Sequence, residues 1–265
     1  MIIEPQKILA YQWKILNRWQ DNARDFPWRS DPNPYAVIVS ETMLQQTQAE
    51  RVVSKFIQFM NEVPTIQDLA VLERKDLLRL WSWLGFNSRA MRLQQTAQRI
   101  IDEYNGKVPY DRQVLRSLPW IGAYSSASIP AFAYNLPEPV VDTNIRRVMI
   151  YELWVSEQLK SKQLEIIALQ CIPEWQSREW HNALMDYGAI VATAKATGIK
   201  SLGKQSKFEW SRRQVRGNIL KRLTKYGKTS IETLRVRFAH DAFESVVEEL
   251  IDQEMISREN DEVYV

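Results

Sequence analysis

Apolar residues along the chain recur at spacings of three and four, which is the period of an α-helix with one buried face. The clearest example runs from Glu50 to Glu62 and has its apolar side chains at Val52, Val53, Phe56, Ile57 and Met60. The same spacing predicts further helices at Ile66–Val71, Arg74–Trp83, Arg89–Tyr104 and Asp111–Ser117. Long alternating runs of β-branched residues, which would indicate strands, do not occur. The pattern therefore predicts an all-α protein.

The segment VSETMLQQTQ, residues Val39–Gln48, carries polar residues that this pattern does not explain. Asn33 and Pro34 fit the cap and the first position of the helix that contains it. Glu41 lies one turn after Val37 and shares its apolar face. A carboxylate in such a place loses solvation, which raises its pKa and suits a general acid. The alternative is a buried acid that a hydrogen-bond partner stabilises.

A second candidate acid, Asp142, precedes an apolar-periodic helix in the segment VVDTNIRRV, residues Val140–Val148. Its position fits a helix N-cap, and a purely structural cap is one interpretation. The other interpretation is a functional pair with Glu41. Cleavage of a glycosidic bond requires two carboxyl groups in unlike environments, one to protonate the leaving group and one to stabilise the oxocarbenium-like centre.

The turn in LPWIGAYSSA, residues Leu118–Ala127, joins two predicted helices and contains Gly122. Backbone N–H groups exposed where such a turn enters a helix, together with the helix dipole, can hold a phosphate. A plain helical hairpin has the same sequence features, so both interpretations stay open at this point.

Charge is distributed unevenly towards the C-terminus. Between Lys195 and Arg237 there are thirteen Lys and Arg residues against two acids, and from Phe238 onwards nine acids against one Arg. A basic belt followed by an acidic tail indicates a surface for a polyanion. A solvated helix face is the alternative.

The C-terminal part has the order of elements found in a winged-helix module. A linker at Lys200–Trp210 precedes a basic helix at Arg212–Tyr226. Two more helices are predicted at Thr229–Phe238 and Asp241–Gln253, and short strands flank the Asn260-Asp261 turn. Winged helices bind DNA in some proteins and mediate protein contacts in others.

The cysteine content and the lengths of the apolar runs indicate the kind of compartment in which the protein is found. The single cysteine, Cys171, supports neither a disulfide framework nor a cysteine-based metal site, and we expect it to be a small core residue. We find no signal peptide, and no apolar run approaches the roughly 18 residues of a membrane span. We therefore expect a cytoplasmic protein of a reducing compartment without membrane contact, associated with the nucleoid if the protein is bacterial. We also expect it to be a monomer.

Five segments, taken together, make the chain resemble the helix-hairpin-helix DNA glycosylases, and most of all the A/G-mismatch adenine glycosylases of the MutY type. The resemblance covers residues Trp13 to Phe208, and the common order of the segments is more specific than any one of them. They are PWR at Pro27–Arg29, PYAVIVSETMLQQTQ at Pro34–Gln48, WLGFNSRAMRL at Trp83–Leu93, LPWIGAYSS at Leu118–Ser126 and VVDTNIRRV at Val140–Val148.

This resemblance implies a helix-hairpin-helix glycosylase fold of two helical subdomains with a DNA-binding cleft between them. One subdomain would comprise residues 1–29 and 132–208. The other would comprise residues 30–131 and contain the helix-hairpin-helix. The winged-helix-like module would follow at residues 209–265.

The resemblance also implies the catalytic residues. Glu41 matches the acid that protonates the adenine base, and Asp142 matches the carboxylate that stabilises the sugar cation. Tyr124 and Asn144 match residues that support these two. Tyr124 stands where the related endonuclease III enzymes have a lysine that attacks the sugar, so the resemblance favours a monofunctional enzyme.

Residues that contact the bases are implied in the same way. Arg29, Leu44 and Asp186 match positions that line the adenine pocket, with Asp186 in place of a frequent Glu. Gln46 and Thr47 match residues that enter the duplex beside the opposite base. Uncharged side chains suit that role because they enter a base stack without burying a charge.

Further DNA contacts are expected along the chain. Phe86 matches an aromatic wedge that is usually Tyr, and stacking on a base is worth ~1–3 kcal/mol. Ile121 and Gly122 match the phosphate-holding hairpin. We also expect contacts from the Phe86 segment and from the basic helix, at Leu84, Arg89, Arg212 and Arg213.

The resembled family carries an iron–sulfur cluster held by four cysteines after a Gly-Ala pair, which is Gly188-Ala189 here. Thiolates hold such clusters, but this chain has apolar residues at all four positions. We therefore expect no cofactor, and a small apolar cluster in place of the metal within the loop 192–208. The four residues are Ala192, Ile199, Leu202 and Phe208.

Two other departures concern the hairpin and the C-terminal part. Trp120 replaces the first glycine of the usual Gly-Val-Gly turn, and its bulk argues against a positive φ there. The family's C-terminal domain, which reads 8-oxoguanine, is not recognisable, and the winged-helix-like module stands in its place. The resemblance therefore implies adenine excision but does not include a domain for recognition of the oxidised guanine.

The sequence thus predicts a monofunctional DNA glycosylase that removes adenine mispaired with guanine or 8-oxoguanine in double-stranded DNA. A mismatch glycosylase for thymine or uracil is the first alternative. Glu41 argues against it, because departure of a pyrimidine has less need of an acid that protonates the base. The second alternative is a non-catalytic DNA-binding protein, against which the intact set of candidate catalytic residues argues.

Overall fold

The computed structural model describes residues 2–200 and 209–265, and most of these residues are helical, as predicted. Contacts between Cα atoms divide the chain into two compact units. The first comprises the described residues of Met1–Glu41 and Val108–Lys204, and the second those of Thr42–Lys107 and Gln205–Val265. The boundary between Glu41 and Thr42 falls within one helix, so this helix contributes residues to both units.

The first unit is built from helices around one apolar core. Tyr11 and Trp180 meet there edge to face, with ring centres 5.2 Å apart, and Cys171 is buried in the same core as predicted. Helices α1 (Pro5–Asn22) and α10 (Thr143–Leu153) both pack against α12 (Ser177–Ile190). The helices are α1 (Pro5–Asn22), α2 (Pro27–Ser30), α3 (Pro34–Leu44), α8 (Arg112–Ser117), α9 (Ala123–Tyr134), α10 (Thr143–Leu153), α11 (Ser161–Gln170), α12 (Ser177–Ile190) and α13 (Ala194–Thr197).

The second unit combines four helices from the middle of the chain with the C-terminal elements. The middle helices are α4 (Ala49–Glu62), α5 (Ile66–Val71), α6 (Arg74–Leu80) and α7 (Ser88–Tyr104). The C-terminal elements are α14 (Arg212–Tyr226), β1 (Thr229–Ser230), α15 (Ile231–Arg237), α16 (Phe243–Asp252), β2 (Ser257–Glu259) and β3 (Glu262–Tyr264). Helix α14 packs against α6, and Leu78 of α6 is buried in one core with Ile219 and Leu250.

The C-terminal elements follow the predicted order of helices and hairpin, with one addition. Strand β1 pairs antiparallel with β3, which pairs with β2, so the sheet order is β1-β3-β2. The predicted helix at Thr229–Phe238 is therefore wrong at its start, because Thr229 pairs with Val263 and the helix begins at Ile231. A strand of two residues is too short to show alternation in a sequence.

Helix α6 is also shorter than predicted. It ends at Leu80 and does not continue to Trp83. Trp83, Gly85 and Phe86 all have positive φ, at 76°, 70° and 48°, and left-handed backbone cannot continue a right-handed helix. The predicted helices at 66–71 and 212–226 are confirmed with the same bounds. Residues 201–208, which include most of the predicted linker, lie outside the described part of the chain.

Among the described residues, no helix is both long enough and apolar enough to cross a membrane.

Candidate active site

Helix α3 is buried from Tyr35 through Glu41, and Glu41 itself is only 9% exposed. Asn33 accepts a hydrogen bond from the Ala36 N–H at 2.9 Å and so caps the helix as predicted. The Oε2 atom of Glu41 is buried and has no hydrogen-bond partner among the described residues. Glu41 therefore presents one oxygen that the protein does not satisfy.

Burial raises the pKa of Glu41, and the charge of Asp142 raises it further. Hydrogen bonds from Ser128 and Tyr124 act in the opposite direction without cancelling the effect of burial. The net direction is upward, so Glu41 keeps its proton at a higher pH than an ordinary glutamic acid. This is the property that a general acid needs.

Tyr124 and Ser128 stand four residues apart on α9, which places both side chains on one face of the helix. Burial raises the pKa of Tyr124 well above its usual value, and the charges of Glu41 and Asp142 add to this, so the phenol stays neutral and donates. The Ser128 hydroxyl also lies 3.5 Å from the Ser125 carbonyl, but a carboxylate is the stronger acceptor. Ser128 was not predicted, although its spacing from Tyr124 was a usable signal.

Asp142 is the N-cap of α10, and its Oδ1 accepts a hydrogen bond from the Ile145 N–H at 2.7 Å. Burial raises the pKa of Asp142, while the N–H groups of Ile145 and Asn144 and the charge of Arg147 partly counteract it. The structural cap is thus present, and the same carboxylate is near enough to Glu41 to influence its pKa. A cap and a chemical role are compatible at this position.

His181 fixes the segment that leads to Asp142. The Val140 N–H donates to Nε2 of His181 at 3.3 Å, and Nδ1 lies 2.7 Å from the Ser177 carbonyl. Burial lowers the pKa of His181 to about 4, so the ring is neutral at physiological pH and Nδ1 carries the hydrogen that Ser177 accepts. Periodicity in the sequence gave no signal for this residue.

Helices α10 and α12 approach closely beside Asn144. A Cβ atom on Gly188 would lie 3.0 Å from the Asn144 Cβ and 3.2 Å from Val148 Cγ2, so α10 would have to give by a few tenths of an ångström to admit a side chain. The Asn144 Oδ1 accepts a hydrogen bond from Arg147 at 3.2 Å. The start of α10, with Asp142 and Asn144, is therefore held by α12 and by Arg147.

Two of the four positions at which the resembled family has cluster cysteines are described, and both carry apolar residues. Ala192 and Ile199 are buried in the core of the first unit, and their carbonyl groups accept hydrogen bonds from the buried Arg147 at 3.4 Å. Neither side chain has an atom that binds iron, so these positions do not fit a cluster. The other two positions, Leu202 and Phe208, lie outside the described residues. Nowhere in the described part do three His, Cys, Asp or Glu side chains form a metal-binding group.

Arg29 and Asp186, two predicted pocket residues, are brought together as an ion pair. Both oxygens of the Asp186 carboxylate are used, because it accepts from Arg29 at 2.8 and 3.0 Å, from Arg24 at 2.6 Å and from Trp19 at 3.0 Å. Burial acts to raise the pKa of Asp186, but Arg29 and Arg24 outweigh it and the pKa is lower than usual. Leu44, the third predicted pocket residue, is half-buried in the second unit.

Arg89 organises the predicted DNA-contacting segments of the second unit. Its buried guanidinium donates to the carbonyl groups of Thr42, Met43, Gln45, Leu84 and Gly85, and to the Thr47 hydroxyl. Desolvation lowers the pKa of Arg89 to about 10, which leaves it charged at physiological pH. We predicted a DNA contact at Arg89, but the structure places its charge inside the protein. It joins the end of α3 to the loop that carries Phe86.

Of the residues predicted to contact DNA in these segments, Gln46 and Phe86 are exposed. Gln46 has a φ of 58° and is exposed, and Phe86 is 39% exposed with a φ of 48°. Left-handed backbone in non-glycine residues costs energy and is often found at functional sites. Leu84 lies between Trp83 and Gly85 but is buried, so its side chain is part of the packing.

The predicted hairpin joins α8 to α9, and Gly122 is the exposed N-cap residue of α9. Ile121 is half-buried and its N–H group donates to Leu118 at 3.4 Å. The expectation for Trp120 is wrong, because its φ is 66°. Its side chain is 59% exposed, so the ring projects away from the backbone and bulk does not forbid this conformation.

The two predicted basic contacts on α14 differ in their surroundings. Arg212 is paired with Glu249 and donates to Ser245 at 2.9 Å. The guanidinium carbon of Arg213 lies 5.7 Å from the centre of the Phe86 ring. The structure thus places Arg213, but not Arg212, against a residue of the predicted DNA wedge.

A helical fold that links the buried Glu41 to the carboxyl group of Asp142 is consistent with a DNA repair protein of the base-excision type. The chain belongs to the HhH-GPD superfamily of base excision DNA repair proteins, whose family pattern matches residues 39–174.

The chain is also similar to individual DNA glycosylases. The adenine DNA glycosylase of Homo sapiens is 34% identical over 200 residues, which is 71% of this chain and 37% of the human protein. The adenine DNA glycosylase of Mycolicibacterium smegmatis is 36% identical over 200 residues, 74% of this chain and 66% of that protein. The chain therefore spans from about a third to just under two thirds of the length of these relatives. A solved thermostable thymine-DNA glycosylase superimposes with a TM-score of 0.69 at 28% identity, covering 72% of this chain and 90% of the other.

Proposed function

We propose that this protein is a monofunctional DNA glycosylase that removes adenine mispaired with 8-oxoguanine or guanine by hydrolysis of the N-glycosidic bond. The observation that carries the proposal is the state of Glu41, a buried carboxyl with a raised pKa and one oxygen without a partner among the described residues. Similarity to two adenine DNA glycosylases supports the choice of base.

The geometry suggests how the reaction proceeds. A purine base extruded from the stack would meet the protonated Glu41, which gives its proton to a ring nitrogen. The C1′–N bond then breaks, its electron pair leaves with the adenine, and the positive charge on the sugar is stabilised by the ionised Asp142. Water adds to C1′ and returns a proton to Glu41, which leaves an abasic site and the free base.

Tyr124 supports hydrolysis without a covalent intermediate. Its phenol is neutral because its pKa is raised, and it donates a hydrogen bond to Glu41. An amine is the group that would form a Schiff base with the sugar and start strand cleavage, and Tyr124 offers none. We therefore propose that strand scission after base removal requires alkali or a second enzyme.

A thymine or uracil mismatch glycosylase is the second candidate, because a solved thymine-DNA glycosylase is also similar to this chain. Excision should be assayed on duplexes with A opposite 8-oxoguanine, A opposite G, T opposite G and U opposite G, followed by alkaline cleavage. Scission confined to the adenine duplexes, and lost in Glu41→Gln and Asp142→Asn, is the expected result. Scission of the duplexes with T or U opposite G would favour the second candidate. Tight binding without scission of any duplex would favour a non-catalytic DNA-binding protein.

We further propose that the protein acts as a monomer on double-stranded DNA and without an iron–sulfur cluster. Buried Ala192 and Ile199, held by hydrogen bonds from Arg147, support apolar packing where the related enzymes place cysteine ligands. Purified protein should contain no iron and show no visible absorbance. Stoichiometric iron in an elemental analysis would contradict this part of the proposal.

A further inference from the structure

Helix α14 carries a glycine, Gly217, in its middle and on its exposed side. Glycine is among the poorest helix formers, so it needs a reason at such a place. The backbone does not provide one, because Gly217 does not have the positive φ that favours glycine. Packing does not provide one either, since a Cβ atom there would meet nothing within 4 Å in the described part of the protein. The open backbone at Gly217 leaves room for the close approach of a ligand from outside.

The residues around Gly217 define what could approach. Arg213 and Lys221 lie four residues before and after it, which places all three on one face of the helix. That face is about 12 Å long between Arg213 and Lys221, at 1.5 Å per residue. Asn218 is exposed beside it and adds a hydrogen-bond donor. Positive and amide side chains on either side of open backbone suit a sugar–phosphate backbone.

Both cations of this face rest on the loop that carries Phe86. The Lys221 Nζ lies 4.2 Å from the centre of the Trp83 ring, and Trp83 is 79% exposed. Arg213 lies over Phe86, as described above. These cation–π contacts hold the two charges beside the loop. Any duplex into which Phe86 inserts would therefore meet the Arg213–Lys221 face of α14 as well.

The other elements of the C-terminal part are poorly suited to DNA. Helix α16 occupies the place of a recognition helix in a helix-turn-helix, but it exposes Glu244, Glu248 and Asp252. The hairpin of β2 and β3 exposes Glu259 and Glu262, which pair with Lys228. Carboxylates repel phosphate, so neither the acidic helix nor the hairpin offers a favourable surface for DNA.

We propose that the face of α14 formed by Arg213, Gly217 and Lys221 docks on the sugar–phosphate backbone of the bound duplex, and that Gly217 admits the strand close to the helix. The first helix of the C-terminal part, and not its recognition helix or hairpin, then extends the DNA-binding surface. This inference rests on the proposed function only for the choice of DNA as partner.

Gly217→Gln in the full chain tests the close approach. Glutamine is a better helix former and has open space, so the melting temperature should rise. Affinity for a labelled duplex with A opposite 8-oxoguanine should nevertheless fall several-fold, because the new side chain occupies the place of the strand. A purely structural role for this position would not move stability and affinity in opposite directions. A higher melting temperature with unchanged affinity would overturn the proposal.

Lys221→Gln provides an independent test that does not depend on the glycine. Loss of one phosphate contact should weaken binding and reduce the slope of log K against log salt by about one. Lys162→Gln on α11, an exposed lysine of the first unit, is the matched control and should leave the slope unchanged. An unchanged slope in Lys221→Gln would contradict docking at this face.

Excision by saturating protein in a single turnover separates this inference from the proposed function. If the unmodified protein removes adenine and both α14 variants bind like it, the docking proposal alone fails. If both variants weaken binding but the unmodified protein removes no base, the proposed activity fails and the docking surface stands.

Discussion

The charge of Asp142 raises the pKa of Glu41, so the two carboxyl groups titrate as a linked pair. The proposed reaction needs the state in which Glu41 holds a proton and Asp142 does not. Burial raises the pKa of both groups, and the backbone N–H groups at the start of α10 limit the rise at Asp142. The cap therefore helps to keep the single proton of the pair on Glu41.

The rate of base excision should follow a bell-shaped curve against pH. The rate falls at low pH as Asp142 is protonated and at high pH as Glu41 loses its proton. Because the pKa of each group is raised, each limb of the curve lies at a higher pH than the ordinary pKa of that group would give. Single-turnover rates across a pH series provide the measurement. A rate that rises steadily with pH would contradict Glu41 as the acid.

Ser128→Ala should move the alkaline limb of this curve to higher pH. The Ser128 hydrogen bond lowers the pKa of Glu41, and its loss lets burial raise that pKa further. Ser126→Ala is the matched control, because Ser126 is equally buried on α9 but donates to the Ala123 carbonyl. If both variants shift the limb equally, the hydrogen bond to Glu41 is not the cause.

Glu41→Gln should abolish excision and stabilise the fold. Removal of a general acid costs about 10²–10⁴-fold in rate. Because the folded-state pKa of Glu41 is raised, its ionisation disfavours the folded state, and wild-type stability is lost as pH rises through that pKa. The variant should therefore melt at a higher temperature near pH 7, with the gain vanishing below about pH 4.

Glu62→Gln is the contrasting control for this effect. Hydrogen bonds from Arg79 and Gln58 lower the pKa of the exposed Glu62, so its ionised form is favoured in the folded state. This variant should gain no stability at neutral pH. A higher melting temperature in Glu62→Gln, equal to that of Glu41→Gln, would refute the linkage argument.

Asp142→Asn and Asp142→Ala separate the two roles of this residue. Asparagine is an equally good N-cap, so Asp142→Asn should keep the stability of α10 and lose excision through the missing charge. Asp142→Ala should lose excision and, in addition, about 1 kcal/mol of stability through the missing cap. Melting temperatures and single-turnover rates of both variants test this, and an active Asp142→Asn would restrict Asp142 to capping.

The sequence predicted the helices and the main catalytic candidates because these depend on local patterns. Asp142 could be placed as a cap, and Glu41 as a buried acid, from neighbours within one or two turns. His181 and Arg24 could not be predicted, because their partners lie 41 and 162 residues away along the chain. Contacts of that kind follow from tertiary packing.

The error at Trp120 has a different origin. Residue type alone suggested an ordinary backbone, but Trp83, Trp154, Trp175 and Trp210 share its positive φ, and all five side chains are exposed. The cost of positive φ arises between the Cβ atom and the residue's own backbone, so it is about the same for Trp as for smaller side chains. The bulk of the residue therefore did not indicate its φ, which depends on the turn that the fold requires at that point.

Arg89→Met should destabilise the protein by about 2–4 kcal/mol, since it leaves several buried carbonyl groups without a donor. It should also weaken discrimination of the base opposite adenine, because Thr47 loses its contact with the guanidinium. Arg79→Met is the control, because the exposed ion pairs of Arg79 with Glu62 and Asp76 contribute little to stability. Equal losses in denaturant unfolding would argue against an organising role for Arg89.

Gly188→Ala should slow excision and destabilise the fold, whereas Gly217→Ala should stabilise it. A Cβ on Gly188 would lie 3.0 Å from Asn144 Cβ and 3.3 Å from its carbonyl oxygen, and such overpacking costs about 1–3 kcal/mol. Relief requires α10 to give by a few tenths of an ångström, and a displaced Asp142 carboxylate should lower the rate of excision because the reaction depends on its position. The same methyl group on Gly217 meets open space and improves helix propensity. We expect the melting temperature to fall in Gly188→Ala and to rise in Gly217→Ala, with a loss of excision rate only in Gly188→Ala. Equal effects of the two substitutions would mean that the close packing of α12 on α10 does not position the Asp142 carboxylate.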